Sequence, residues 1–209
     1  MHEFGLHMGA RVHCQNGKCG KLTQVGVHPG TWQVTDVVVS KGFLMKEARV
    51  FPVSIIDHTE PDDVHLTLRS DDIFFYSKYR STEGRQSVPD SPQQSMNNSG
   101  QRSDKLPQVY KEKAQKDPGL NREFLTGSTL VKNSEGFVGK LCDVVVDAET
   151  NEITHVIVQQ GLHFPEYLEV PIVFVETISS NSIFLSLSQE ELDIFLIPAN
   201  FIYNATYPS

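Results

Sequence analysis

The fold prediction starts from a six-residue segment that occurs twice, 119 residues apart. Its two copies are Gly17-Lys18-Cys19-Gly20-Lys21-Leu22 and Gly136-Phe137-Val138-Gly139-Lys140-Leu141. The same offset aligns Val12–Ile73 with Val131–Leu192 without a gap. About a quarter of the aligned positions are identical, and most of these are glycines and alternating aliphatic residues. Self-similarity at a fixed offset indicates two copies of one structural unit. We therefore predict two halves that share a fold.

Within each half the apolar residues alternate with period two, as in strands that bury one face. Val34, Val37 and Val39 form one such β-branched run, and turn signals such as Asn16-Gly17 and His28-Pro29-Gly30 separate the runs. Several short strands at roughly ten-residue spacing predict an all-β fold, with each half a small antiparallel β-barrel. Ser188–Leu192 is the best helix start, with serine as the N-cap and acids in the first turn.

Each copy resembles the PRC-barrel family. The segments that carry the resemblance in the first copy are Gly9–Val12, Gly17–Leu22, Val34–Val39, Gly42, Val50–Val53 and Val64–Leu68. Those in the second copy are Gly127–Val131, Gly136–Leu141, Ile153–Val158, Gly161, Glu169–Ile172 and Ile183–Leu187. The resemblance implies two tandem barrels of the kind that serve as interaction modules in a photosynthetic reaction-centre subunit and in a ribosome maturation factor. The chain lacks the membrane helix of the former and the N-terminal domain of the latter.

Composition places the domain boundaries. We predict a first barrel over residues 1–76, a polar linker over 77–122, and a second barrel with an aromatic tail over 123–209. The linker is rich in Ser, Gln, Asn and Pro, so we expect it to be disordered and the two barrels to fold separately. It carries nine Lys and Arg against five acids, which makes it net basic. It is either a tether or a basic tract that contacts an acidic partner or RNA.

Charge and cysteine content restrict the environment and the partners. The net charge is -8, and residues 123–209 hold two lysines against twelve acids. Such a surface is repelled by phosphates, so we expect no direct nucleic-acid binding by the barrels. No apolar run reaches the roughly 18 residues of a membrane span. Without a signal sequence, and with an odd number of cysteines, the chain is predicted to be cytoplasmic with reduced thiols.

No motif predicts catalysis, a cofactor or a metal. The sequence contains no nucleophile elbow, phosphate loop, dinucleotide fingerprint or metalloprotease helix. His13, Cys14 and Cys19 lie within seven residues, but they do not form a C-x-x-C pair and the second copy has Lys132, Asn133 and Val138 instead. We predict no catalytic residue, no cofactor-binding residue and no metal ligand.

Apolar residues at hairpin tips and after each barrel are the candidate partner contacts. Large apolar side chains at a loop tip either plug the barrel end or form an exposed contact patch. The aromatic tails pose the same question, since they either pack on their own barrels or on each other, or form the partner surface. The candidate contacts are Phe43, Leu44, Met45, Leu162, His163, Phe164, Phe74, Phe75, Phe195 and Phe201.

We expect a non-enzymatic adaptor or scaffold that binds a protein partner, with the two barrels pairing with one another or presenting two equivalent sites. The alternative is a small-molecule or metal sensor, an enzyme of unrecognised type, or a ribosome- or RNA-processing-associated factor that uses the basic linker. The sequence does not name the partner.

Overall fold

The computed structural model describes residues 2–42, 47–79, 122–161 and 165–198. Strands make up most of the described chain and its helices are few and short, which confirms the all-β prediction. The first half contains seven strands, β1 to β7, which are Glu3–His7, Arg11–Cys14, Gly17–Val27, Val34–Lys41, Glu47–Pro52, Ile56–Glu60 and Asp63–Leu66. The second half contains eight strands, β8 to β15, which are Glu123–Leu125, Leu130–Asn133, Gly136–Asp147, Ile153–Gln160, Glu166–Pro171, Val175–Ile178, Ser182–Leu185 and Leu196–Ile197.

Short helices connect and end the sheets. Four 3-10 helices span Val53–Ile55, Ser70–Phe75, Ile172–Phe174 and Asp193–Phe195. The α-helix α1 spans Gln189–Leu192. The Ser188 side chain accepts from the Glu191 backbone N–H and the Glu191 side chain reaches back to the N-cap, so the predicted helix start is confirmed as a capping box. In the described ranges no helix is both long enough and apolar enough to cross a membrane.

The strands form two sheets of the same order. The first runs β5-β4-β3-β2-β7-β6, and the second runs β12-β11-β10-β9-β14-β13 with β15 added beside β12. In each half one pair is parallel, β2 with β7 and β9 with β14, and the other neighbours are antiparallel. The described ladders include no pairing between the end strands of a sheet, so closure of each sheet into a barrel stays a prediction.

Close packing explains why the repeat keeps its second glycine. A Cβ atom on Gly20 would lie 2.5 Å from the Ser40 carbonyl oxygen. A Cβ atom on Gly139 would lie 2.5 Å from the equivalent Gln159 oxygen. Backbone oxygens cannot move away cheaply, so only glycine fits where the long central strand crosses its neighbour. The motif that predicts the repeat therefore marks a steric requirement of the sheet.

The two halves exchange their first strands. Strand β1 pairs antiparallel with β10 of the second half, from Glu3↔Asp147 to His7↔Asp143. Strand β8 pairs antiparallel with β3 of the first half, from Glu123↔Val27 to Val25↔Leu125. The 119-residue offset carries Leu6↔Val144 onto Leu125↔Val25, so the exchange obeys the same pseudo-two-fold symmetry as the sequence.

A second junction lies where β4 and β11 begin. Gln33 forms an antiparallel bridge with Glu152, its own equivalent under the repeat. The Val34 N–H donates to the Asn151 carbonyl at 2.8 Å, and the Ile153 N–H donates to the Trp32 carbonyl at 2.9 Å. The two residues whose carbonyls accept these bonds, Trp32 and Asn151, have positive φ angles of 59° and 58°. A residue that contacts its own repeat equivalent lies on the pseudo-two-fold axis.

Most of the buried side chains form one cluster that extends through both halves, and Val145, Ile157 and Tyr167 form a smaller second cluster. Leu6 and Leu125, one from each exchanged strand, are fully buried in the larger cluster. The structure therefore differs from the expectation of two separately folding barrels, because each half is completed by a strand of the other. The two halves are joined by β-sheet hydrogen bonding.

Two further expectations differ from the structure. Cys14 and Cys19 form a disulfide, with Cα atoms 5.8 Å apart, so the prediction of three reduced thiols is corrected. A tight β2–β3 hairpin brings the two residues to bonding distance, since Cys14 pairs with Gly17 and both cysteines lie close to the turn.

Residues 77–79, assigned to the linker, hydrogen-bond to β5 through Ser77 and Tyr79. The rest of the predicted linker, except Arg122, lies outside the described residues.

Candidate functional site

Three of the ten predicted contact residues lie in the described part of the chain. Phe74 and Phe75 belong to the 3-10 helix Ser70–Phe75 and are 70% and 56% exposed. Phe195 is half-buried and packs against Phe174, with ring centroids 5.4 Å apart. The other seven lie outside the described residues, and these are Phe43, Leu44, Met45, Leu162, His163, Phe164 and Phe201.

The first-half helix is fixed so that its two phenylalanines point outward. The Arg49 side chain, which is buried, donates to the Phe74 carbonyl at 3.1 Å and to the Tyr76 carbonyl at 2.7 Å. The Arg49 guanidinium also lies 5.5 Å from the centre of the Phe74 ring, within cation–π range. Tyr76 packs on Phe51 in the core, with centroids 4.8 Å apart. A well-anchored backbone thus presents an exposed aromatic pair.

The second half repeats this exposure with aliphatic residues. Ile194 is the repeat equivalent of Phe75 and is 78% exposed. Val173, which lies in the 3-10 helix Ile172–Phe174, is also exposed. Leu192, the equivalent of Ile73, is fully buried and anchors α1. We call Phe74 and Phe75 the first apolar end, and Val173 and Ile194 the second apolar end.

A face of the first sheet that the sequence analysis overlooked carries three aligned histidines. His13 on β2 is paired with His65 on β7, and His65 is paired with His58 on β6. The rings of His13 and His65 are stacked with centroids 5.0 Å apart, and those of His58 and His65 with centroids 4.3 Å apart. Residues that are paired across adjacent strands project to the same side of a sheet, which accounts for the ladder. We call these three residues the histidine ladder.

Acidic and basic side chains border the ladder. Glu60 lies two residues from His58 on the same strand, and one ligand atom from each of His58, Glu60 and His65 lies within 4.8 Å of the others. Asp63 accepts from Arg11 Nε at 2.7 Å, from Arg11 Nη2 at 2.5 Å, and contacts His13 Nε2 at 2.6 Å. The Arg11 hydrogen bonds, together with His13, hold the pKa of Asp63 well below its usual range. Asp63 is thus an anion already bound by two neighbours, whereas Glu60 belongs to the group of three residues that could hold a metal ion.

The second half does not repeat the ladder. The equivalents of His13, His58 and His65 are Lys132, Thr177 and Phe184. These residues keep the same register, since Lys132 pairs with Phe184 and Phe184 pairs with Thr177. The halves thus share a scaffold at this face, but only the first carries ligand-type side chains on it.

An open cleft adjoins the ladder at the β1–β2 turn. It is lined by His7, Met8, Gly9, Ala10, Arg11, Lys18, Lys21 and Asp62. Three of these residues are cationic, but the guanidinium of Arg11 is already bound to Asp63. The described lining residues include no thiol.

The contact of β1 with β10 brings a cysteine, a histidine and an aspartate together. His7 Nδ1 lies 3.8 Å from Cys142 Sγ and 4.0 Å from Asp143 Oδ2. Burial raises the pKa of the Cys142 thiol to about 12, and the neighbouring Asp143 adds to that rise. Burial also lowers the pKa of His7 and raises that of Asp143 to about 8. A nucleophilic cysteine needs a lowered pKa, so the raised pKa of Cys142 argues against a nucleophilic role for this half-buried trio.

No protein-family model matches the chain, and no curated protein matches it. The resemblance to PRC-barrels therefore stays a prediction that rests on the repeated motifs. Because neither comparison provides residue roles, the two apolar ends and the histidine ladder are the features from which we infer function.

Proposed function

We propose that the chain is a non-enzymatic scaffold of two PRC-barrel-like halves that binds protein partners at its two apolar ends. The observation that carries the proposal is the exposure of Phe75 and Ile194 at equivalent positions of the repeat. Large exposed apolar side chains on a rigid backbone are typical of binding surfaces, and buried aromatic anchors dominate interface energies.

The strand exchange supports a scaffold function because it fixes the two apolar ends on one body. Phe75 and Ile194, which are equivalent under the repeat, suit a partner that is itself two-fold or repeated, and the second contact then gains from high effective concentration. The acidic second half, with two lysines against twelve acids in residues 123–209, favours a partner with a cationic rim around an apolar centre. Direct binding of nucleic acid by this half is disfavoured on the same ground.

The proposal is tested with a partner that is first recovered with the full chain from its native cells, identified, and then purified alone. We expect Phe74→Ser with Phe75→Ser, or Val173→Ser with Ile194→Ser, to weaken binding of the pure partner by at least about tenfold. That loss corresponds to about 1.4 kcal/mol, above the roughly 1 kcal/mol that fewer than a third of interface residues exceed when truncated. Thermal unfolding should not change, because these side chains contribute little to the core.

Phe137→Ser is the matched control, since Phe137 is an apolar residue of 61% exposure on β10 outside both apolar ends. Unchanged affinity in both double variants, or equal loss in the Phe137 variant, would contradict the proposal. Cytoplasmic location and the ribosome- or RNA-associated alternative stay predictions. The basic residues that would carry the RNA-associated role lie almost wholly in 80–121, outside the described chain.

A further inference from the structure

We infer that the first half binds one divalent transition-metal ion at His58, Glu60 and His65, with zinc as the ion that best tests it. One ligand atom from each of these three residues lies within 4.8 Å of the others. Two imidazoles and one carboxylate form a donor set that suits Zn²⁺ and its first-row neighbours. This inference is independent of partner binding at the apolar ends.

The sheet register explains how two residues seven positions apart come to share one ion. His58 and His65 pair across the hairpin that turns at Pro61 and Asp62, and Glu60 lies on the same side of β6 as His58. Rigid sheet positions fix the three Cβ atoms, so the ion needs only side-chain rotation to bind. Ligand atoms of a tetrahedral zinc ion lie about 3.4 Å apart, given bonds of about 2.1 Å. To bind one zinc ion, the ligand atoms of His58, Glu60 and His65 therefore have to move about an ångström closer to one another. The ring of His58 is exposed and is able to rotate.

Neighbouring residues already orient the ligands. His58 Nδ1 lies 2.9 Å from Asp57 Oδ2, and a carboxylate acceptor requires that this nitrogen carry the hydrogen. The lone pair of His58 is then on Nε2, the arrangement in which a carboxylate sets the tautomer of a metal-binding histidine. His13 stacks on the other face of His65, and its own Nε2 is bound to Asp63. His13 thus positions the His65 ring and is not itself counted as a ligand.

Three protein ligands leave at least one coordination position of a tetrahedral ion open to solvent. Structural zinc sites are closed by four protein ligands, whereas an open position accepts water or an incoming donor group. The location on the exposed face of β6 and β7 makes that position accessible. The site would therefore hold the metal for contact with an external ligand and not as a buried structural staple.

The test is calorimetric titration of Zn²⁺ into the tag-free, chelator-treated full chain without reductant. We expect one ion per chain, with affinity at least about tenfold weaker in His58→Ala and in His65→Ala. Loss of an orienting outer group alone typically costs about 10–100-fold, and loss of a ligand should cost no less. His155→Ala, which removes a histidine of the other half, should bind as the unmodified chain does. Circular dichroism checks that each variant keeps its β-structure.

A second test uses the repeat to build the same metal site into the second half. Thr177→His, Ser179→Glu and Phe184→His together place the same three ligands at the equivalent register of the second half, and the stoichiometry should rise from one to two. Absence of zinc binding to the unmodified chain, or unchanged affinity in the His58 and His65 variants, would overturn the inference. So would dependence on Cys14 and Cys19 instead, seen as loss of binding in Cys14→Ser with Cys19→Ser. A well-folded transplanted variant that still binds a single ion would also count against it.

Discussion

Asp143 and Gln24 occupy equivalent positions in the two halves, and each has one buried oxygen atom without a hydrogen-bond partner. They follow the β-bulges of β10 and β3, which lie between Leu141 and Asp143 and between Leu22 and Gln24. Burial of a polar oxygen without a partner is costly. Asp143 limits this cost by staying protonated, since burial raises its pKa to about 8, whereas Gln24 has no charge to lose.

The raised pKa of Asp143 predicts that stability falls as the pH rises from about 4 to about 8. An unfolded aspartate titrates near 3.9, so in this window the unfolded chain has released a proton that the folded chain still holds. This single group then lowers the free energy of unfolding by up to about 1.4 kcal/mol per pH unit. Asp143→Asn should flatten that slope and be more stable than the unmodified chain at pH 7, as measured by urea unfolding at pH 5, 6, 7 and 8.

The exposed Asp193, changed to Asn, is the control and should leave the slope unaltered. If Asp143→Asn follows the same pH profile as the unmodified chain, the carboxyl group is ionised in the folded state at neutral pH. The shared burial of positions 24 and 143 would then need another explanation.

The pairing of His58 with His65 in the histidine ladder is predictable from the sequence. The turn signal at Glu60–Asp63 implies the pairs Glu60↔Asp63 and His58↔His65, and this is the observed register. The separation of seven residues is not a metal-ligand spacing on a helix, so no linear metal-binding motif predicts the pair. The sequence places His13 beside Cys14 and Cys19, yet its neighbours in space are His65 and Asp63.

At the scale of elements, alternation predicted strands but not their partners. The residues of β1 and β8 place one leucine each, Leu6 and Leu125, in the core. The same alternating pattern is satisfied whether a strand joins its own sheet or that of the other half, because the two sheets are equivalent. Pairing across the repeat therefore could not be predicted from one sequence, whereas the all-β class and the capped helix α1 could.

The exchange predicts that a core substitution in β8 loosens the first half. Leu125→Ala should reduce the free energy of unfolding by about 2–5 kcal/mol, the usual range for a buried leucine. Because Leu125 pairs with Val25, the largest rise in amide hydrogen exchange should appear in β3 and not in β10. Hydrogen exchange followed by mass spectrometry of peptides from both strands measures the difference.

Two matched variants sharpen the measurement. Leu6→Ala should produce the mirror result, with the rise in β10, since Leu6 pairs with Val144. Leu185→Ala removes a leucine from β14, which pairs within the second half, and should loosen that half. An increase confined to the second half in Leu125→Ala would mean that β8 belongs to its own half in solution.

For the whole molecule, the exchange changes what the repeat means. Two tandem domains would be joined only by the chain between them. Here the halves exchange strands, contribute to one large buried cluster, and are bridged by Gln33 and Glu152 on the pseudo-two-fold axis. Arg122, the residue just before β8, also pairs with the buried carboxylate of Asp36 in the first half. The molecule is thus arranged as a homodimer whose two subunits are parts of one chain. This arrangement allows the halves to diverge, as the ladder and the acidic surface of the second half show.

The last prediction follows from that arrangement and concerns fragments 1–79 and 122–209. Co-expressed, they should purify as a stable 1:1 complex, because each supplies the strand that completes the other. The melting temperature should now rise with concentration, since the covalent connection no longer holds the effective concentration constant. Expressed alone, each fragment has one edge of its long central strand, β3 or β10, unpaired where the exchanged strand would bind. It should therefore either form a homodimer by the same exchange or aggregate. Light scattering coupled to size exclusion distinguishes these states, and folded monomers of both isolated fragments would show that the exchange is dispensable.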